Sequence, residues 1–216
     1  MSQTITVIGS TGLIGLQFLS NISEGEYKGV TAITRREIPA LSDKPFIHQA
    51  IHDFSNLASM RADLKTDVLV CTLGTTIKTA GSQERFFEID HNIPLALAKM
   101  AREEGCQTFI LVSSLGANAN SKIFYSRVKG QLEAALKEVG FKQLHILRPS
   151  MLLGNRQESR PGEFIGKLIM TPLSFLIPWN YKPIQASTVA AKIRELISTG
   201  GSGTSIWTGK ELFHKN

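Results

Sequence analysis

Cysteine is scarce: two in 216 residues. Cys71 and Cys106 form no C-x-x-C pair, which excludes a disulfide framework and a thiolate zinc site. Both read as reduced, buried thiols of a cytosolic protein. No uninterrupted apolar run is long enough to cross a bilayer, because the longest stretch, Phe164 to Trp179, is broken by Lys167, Pro172 and Pro178. No basic and apolar leader precedes the first strand, so no secretory signal is expected and a cytoplasmic location is. The net charge is +6, yet no Lys/Arg run exceeds Arg35-Arg36. That scatter gives no pattern for nucleic-acid binding and leaves a phosphate-bearing small molecule as the natural anionic partner. The five histidines form no H-E-x-x-H or Cys/His cluster. His48 and His52 are four apart in a strand-like region, where that spacing does not hold ligands as it does on a helix, so no metal is expected.

What the chain does have is glycine at a telling place. Thr4-Ile5-Thr6-Val7-Ile8 reads as a strand, Gly9-Ser10-Thr11-Gly12 as a turn, and Leu13 to Leu19 as a helix with Ile14 and Gly15 in its first turn. In G-x-x-G-x-x-G, Gly9 permits the reversal and Gly12 lets backbone N–H groups approach a pyrophosphate. Gly15 lets the helix pack close to the strand, its positive end facing the phosphates. No Gly-Lys-Ser/Thr follows, which argues against a Walker-type loop. The alternative is an ordinary tight strand-to-helix turn.

Gly29 to Thr34 reads as the second strand, ending at Arg35 and Arg36. Dinucleotide sites place an acidic residue roughly here to bind the ribose hydroxyls of NAD; paired guanidinium groups instead suit the 2′-phosphate of NADP. Pro45 to Ala50 suggests a third strand. Asp53 beyond it either accepts from an adenine amino group or caps a helix beginning near Asn56. Asp67 to Cys71 is a continuous apolar run, as in a buried parallel strand, and the loop Thr72-Leu73-Gly74-Thr75-Thr76 at its carboxyl end would lie beside the cofactor. A helical pattern from Gln83 to Glu104 is kinked or restarted at Pro94. Thr108 to Val112 is a fifth strand, followed by Ser113-Ser114, and Leu144 to Pro149 a sixth.

Between them, Tyr125 to Val139 carries Val128, Leu132, Ala135, Leu136 and Val139 on one helical stripe, with Tyr125 and Lys129 one turn apart along its flank. Gly154 to Gly162 is loop-like, and Glu163 to Leu176 reads as an apolar helix or lid. Ser187 to Thr199 reads as a helix with Ser187 as N-cap, and Thr204 to Thr208 as a last strand. The alternation predicts a doubly wound, mainly parallel α/β sheet of Rossmann type. It forms a single NAD(P)-binding domain over residues 1–216, with about 150–185 as a small substrate cap.

Ser114, Tyr125 and Lys129 invite a mechanistic reading. A phenol is a poor acid or base at neutral pH, and an ammonium one turn away favours its ionised form. Ser114 would hold a substrate oxygen, Tyr125 would move the proton that accompanies hydride transfer, and Lys129 would also contact the nicotinamide ribose. The plain alternative is a core-edge tyrosine, a snorkelling lysine and a strand-end serine.

Together these motifs resemble the short-chain dehydrogenase/reductase superfamily, in its atypical, extended-like branch, over nearly the whole chain. Cys71 to Thr76, Phe124-Tyr125 with Val128-Lys129-Gly130, and Arg156 to Glu163 are similar more narrowly to the Tat-interacting-protein-like oxidoreductases. The resemblance implies NADP(H) bound at Gly9, Ser10, Thr11, Gly12, Leu13, Ile14 and Gly15, at Arg35 and Arg36, and near Asp53, Leu73, Gly74 and Thr75. It also implies a Ser114/Tyr125/Lys129 catalytic set, with Ser114 chosen over Ser113 because the second serine is the usual one. Two departures stand out. Asp90, with Asn92 two positions on, stands where many relatives carry a relay asparagine, and Thr188 stands where extended members often carry Asp. Arg156 and Arg160 bind an anionic substrate or, the favoured reading, pair with Glu158 and Glu163. The leading expectation is an NADP(H)-dependent oxidoreductase acting on a small carbonyl or alcohol. The alternative is a non-enzymatic NADPH-binding redox sensor that binds a protein partner. A nucleotide-sugar epimerase is disfavoured, since only about 65 residues follow Pro149.

Overall fold

In a computed structural model, which describes residues 3–154 and 181–213, seven strands lie in one sheet. They are β1 (Thr4–Ile8), β2 (Gly29–Thr34), β3 (Ile47–Ile51), β4 (Val68–Cys71), β5 (Thr108–Val112), β6 (Gln143–Arg148) and β9 (Gly203–Thr208). The order is β3-β2-β1-β4-β5-β6-β9, and every pairing is parallel. The Rossmann-type doubly wound sheet expected from the alternation is present. A two-residue pair, β7 (Leu152–Leu153) and β8 (Ile184–Gln185), stands apart.

Each face of a parallel sheet must be covered, because both sides of its strands are apolar. On one face α1 (Leu13–Ser20) and α6 (Ala186–Ser198) bury Phe18, Leu19, Ile193 and Leu196 against Ile5, Val7, Val70 and Ile110. On the other, α4 (Ile93–Glu103) and α5 (Phe124–Lys137) bury Leu97, Ala101, Leu132 and Leu136 against Ile8, Leu69, Phe109 and Ile146. The chain runs outward from β1 to β3, then returns to β4 on the other flank of β1. This reversal opens a crevice at the carboxyl ends of β1 and β4.

Several local expectations are corrected. The stretch after β3 is a 3-10 helix, Leu57–Leu64, and no side chain caps it. Asp53 Oδ1 instead accepts from the N–H and hydroxyl of Ser55, both at 2.8 Å, a turn that competes with capping. Ser187 is not an N-cap: α6 begins at Ala186 with Gln185 at the cap and no side-chain bond. The loop after β4 contains a short helix, α2 (Ile77–Ala80), capped by Thr76, whose hydroxyl oxygen accepts from the Thr79 N–H. The long pattern ending at Glu103 is α3 (Gln83–Phe87), a π turn (Glu88–Asn92) and α4. Pro94 explains the π turn: it has no N–H for the Asp90 carbonyl four residues back, and its ring crowds that carbonyl. The Ile93 N–H bonds to the Glu88 carbonyl instead. The Arg156–Glu163 loop, the Glu163–Leu176 segment and most of the expected cap lie outside the described residues.

Candidate functional site

The glycine turn is built as close approach requires. Gly9 has φ +84°, and a Cβ there would lie 2.6 Å from Leu73 N and Thr72 C. At Gly15 a Cβ would lie 2.4 Å from the Gly9 carbonyl oxygen and 2.7 Å from Thr72 Oγ1. Thr72 anchors the contact, its N–H bonding to Ile8 O and its hydroxyl to both Ile8 O and Gly9 O. β1, α1 and the loop after β4 thus meet with backbone against backbone.

Above this junction lies a cleft of about 800 Å³. Gly9, Ser10, Thr11 and Gly12 form its floor; Thr34, Arg35, Asp53 and Phe54 line one end, and Leu73, Gly74 and Thr75 the loop side. Ser10 presents only its backbone, because its buried hydroxyl donates to Val7 O at 2.9 Å and Ile33 O at 3.1 Å. Leu13, Ile14 and Gly15 are not among the lining residues. Ile14 packs in the core, and Gly15 serves helix–strand approach. Arg36 is also outside the lining although it is exposed; its backbone closes a turn on the Thr34 hydroxyl. Phe54, not anticipated from sequence, lines the cleft in the left-handed conformation at φ +65°. A bulky residue rarely adopts it, and the Asp53–Ser55 turn holds it there.

Beyond the loop sits the second group. Lys129 and Asp90 are both buried, 4% and 0% exposed, with Nζ 2.7 Å from Oδ1. Asp90 Oδ2 accepts from the Thr75 N–H at 2.9 Å. A Cβ on Gly74 would lie 3.3 Å from Asp90 Oδ1 and 3.4 Å from Lys129 Nζ, so glycine lets the loop rest on the ion pair. Burial opposes the Lys129 charge, but the Asp90 carboxylate and the neighbouring Tyr125 together outweigh it and hold the ammonium above its ordinary value. The π turn is what aims Asp90 inward. Asn92 faces outward, exposed and bonded to Glu88 and His91. The polar position beside the lysine is therefore held by a carboxylate.

Tyr125 is half-buried, its ring against Phe86 at 5.5 Å. The two serines after β5 differ sharply. The buried Ser113 hydroxyl donates to Glu133 Oε1 at 2.5 Å, and the Arg148 guanidinium grips the same carboxylate from β6. Ser114 is only partly buried and has one weak bond, 3.3 Å to Leu115 O. Its hydroxyl is the one left to meet a ligand. Glu133 escaped the sequence reading, though its place four residues after Lys129 was a signal that the same flank is buried. Gly130 completes the region: a Cβ there would lie 2.2 Å from Ala119 N, so the loop after β5 crosses directly over α5.

Cys71 and Cys106 are buried, and burial pushes their thiols up to about 11 and about 12. His52 Nε2 lies 2.8 Å from Asp63 and His48 Nε2 3.8 Å from it. Among the described residues no group of three or more His, Cys, Asp or Glu is arranged to hold a metal, and no helix is long and apolar enough to cross a membrane.

Comparison with known structures places the fold among dinucleotide-bound proteins. The Bordetella bronchiseptica enzyme WbmH, solved with NAD+, matches with a TM-score of 0.73 at 16% identity, covering 95% of this chain and 75% of that one. A dTDP-4-dehydrorhamnose reductase from Bacillus anthracis, solved with NADP, matches at 0.67 with 15% identity, covering 96% and 75%. In sequence, the mitochondrial protein FMP52 of Candida glabrata is 39% identical over 161 residues, 74% of this chain and 68% of that protein. HTATIP2 of Rattus norvegicus is 31% identical, covering 99% of this chain and 89% of the relative. The expected cytoplasmic location is corrected by these relatives. FMP52 proteins of Candida glabrata, Saccharomyces cerevisiae and Emericella nidulans are named as mitochondrial. The HIM1 family pattern matches residues 44–176, spanning the loop after β4, the Asp90–Lys129 pair and Tyr125. With relatives of both names matched over most of its length, the chain belongs to the HIM1 family, and the likeness to Tat-interacting-protein-like proteins read from its motifs holds.

Proposed function

We propose that this protein is an NADP(H)-dependent oxidoreductase acting on a small carbonyl or alcohol. The observation that carries the reading is the cleft joining the Gly9–Gly12 turn to Arg35. Gly9 to Gly12 line the cleft at the start of α1, which suits a pyrophosphate resting there. Arg35 stands at the end of β2, where an acidic residue would favour NAD, and its fork suits a 2′-phosphate. Asp53 and Phe54 would face the adenine, and Leu73 to Thr75 would lie beside the cofactor.

When bound, the dinucleotide supplies or accepts hydride at its nicotinamide. Ser114 would hold the substrate oxygen through its weakly bonded hydroxyl, and Tyr125 would give or take the proton at that oxygen. The Lys129 ammonium beside the phenol would stabilise negative charge as it forms there. Asp90 would fix the lysine, and the segment about 150–185 would cap the substrate within one domain. The experiment is calorimetric titration with NADPH and NAD+, then a carbonyl panel followed by NADPH oxidation. Tyr125→Phe is expected to abolish turnover and leave NADPH affinity within about threefold, the phenol serving only proton transfer. Persisting turnover would remove Tyr125 from its role. A second reading, a dinucleotide-binding redox sensor with a protein partner, draws support from the tight pairing of Lys129 with Asp90. NADPH binding without turnover on any carbonyl of the panel would favour it.

A further inference from the structure

The cleft has a second cationic wall. Besides Arg35, it is lined by Lys78 on α2 and Arg85 on α3, and Asp53 is its one acidic lining residue. The Asp53 carboxylate is already engaged by Ser55. Neither Lys78 nor Arg85 has an ion-pair partner among the described residues, and both side chains are exposed. Exposed cations in an apolar protein surface usually find a carboxylate or turn to open water. Two unpaired ones that instead line one concavity, opposite an arginine, make it a positive trough.

The cleft's lining also says which part of a dinucleotide they face. It includes the glycine turn, Arg35, Asp53, Phe54 and the Leu73–Thr75 loop, but not Ser114, Tyr125 or Lys129. It is therefore the adenosine half of the site. Resting on the proposed dinucleotide binding, we infer that Lys78 and Arg85 grip the adenosine-side phosphates from the wall facing Arg35, so that α2 and α3 form a clamp over the cofactor. Their anchoring fits the role. Thr76 and Ser82 cap the two helices through side-chain oxygens that accept from Thr79 N and Arg85 N. Phe86, next to Arg85, is fully buried against Phe124 and Tyr125. The clamp is thus pinned on one side and free on the side that faces the cleft.

The test is calorimetry of the full chain with 2′,5′-ADP, NADPH and NAD+ at two salt concentrations, for wild type, Lys78→Ala, Arg85→Ala, Arg85→Lys and Arg35→Ala. Each alanine variant is expected to lose about tenfold in affinity for 2′,5′-ADP and NADPH, the loss of one charge-assisted contact at an exposed site. The salt dependence should flatten in both, and Arg85→Lys should recover most of the loss. Unchanged far-UV circular dichroism and melting would exclude misfolding as the cause. Wild-type binding that weakens in Arg35→Ala but not in the Lys78 or Arg85 variants would overturn the clamp and leave the proposed function standing. A loss for NADPH with none for 2′,5′-ADP would also overturn it, by moving the two cations to the nicotinamide half. Absence of any dinucleotide binding by wild type would instead refute the underlying reading.

Discussion

Removing the Asp90 carboxylate tests the site at its most buried point. In Asp90→Ala, Lys129 keeps its 4% exposure but loses its counter-charge, and the Thr75 N–H loses its acceptor. Breaking one side of a buried ion pair costs about 3–5 kcal/mol. With a urea m-value of about 2.5–3 kcal/mol/M, the unfolding midpoint should fall by about 1–2 M. The pH dependence gives a sharper signature. In the wild type the Lys129 ammonium is held above its ordinary 10.5, so its contribution to stability is complete below that pH and is lost as pH rises through the folded value. Without Asp90, desolvation, the largest influence on the ammonium, loses its main opponent, and the folded state releases its proton more readily than the unfolded chain. The variant's stability should then rise with pH on the approach to 10.5, over the range where the wild type gains nothing from this group. Asp90→Asn keeps an oxygen for Thr75 and separates the charge effect from the hydrogen bond. The assay is urea unfolding followed by circular dichroism at several pH values. A loss below about 1 kcal/mol, or parallel pH profiles for variant and wild type, would refute the reasoning.

Other consequences are as direct. Arg35→Ala should weaken NADP binding about tenfold or more and NAD binding much less, while Arg36→Ala, outside the cleft, should change either less than about twofold in the same titrations. Gly130→Ala drives a methyl into backbone atoms of Asn118 and Ala119. It should cost about 2–3 kcal/mol or more, a drop of roughly 4–12 °C in the melting temperature read by calorimetry. Cys71 and Cys106, with thiols pushed up to about 11 and 12 by burial, should resist labelling by a thiol reagent at pH 8 in the native protein and react fully in urea.

Much of this was legible because it is local. The strand–glycine–helix opening, the apolar runs and the four-residue spacing of Tyr125 and Lys129 depend on neighbours in sequence, and the fold contains them. What escaped depends on distant partners or on a break in periodicity. Asp90 was noted as a departure, but its inward aim requires the five-residue turn forced by Pro94, which a 3.6-residue reading conceals. Glu133 looks like a surface charge until Arg148, fifteen residues on at the end of β6, and Ser113 converge on it. Arg35 and Arg36 were inseparable in sequence, since only the backbone turn after β2 decides which faces the cleft. Lys78 was hidden because α2 is four residues long, too short to impose a period.

The wide turn ahead of Pro94 also sets the roll of everything downstream of it. One residue corresponds to about 100° around a helix axis. Regular winding through Glu88 to Asn92 with no residue removed would therefore turn Ala98 and Ala101 off the sheet and bring Ala96 and Met100 toward it. The irregularity thus behaves as an indexing step: the same insertion that delivers a carboxylate to the lysine keeps the greasy side of the next ten residues facing home, and neither can be tuned without the other.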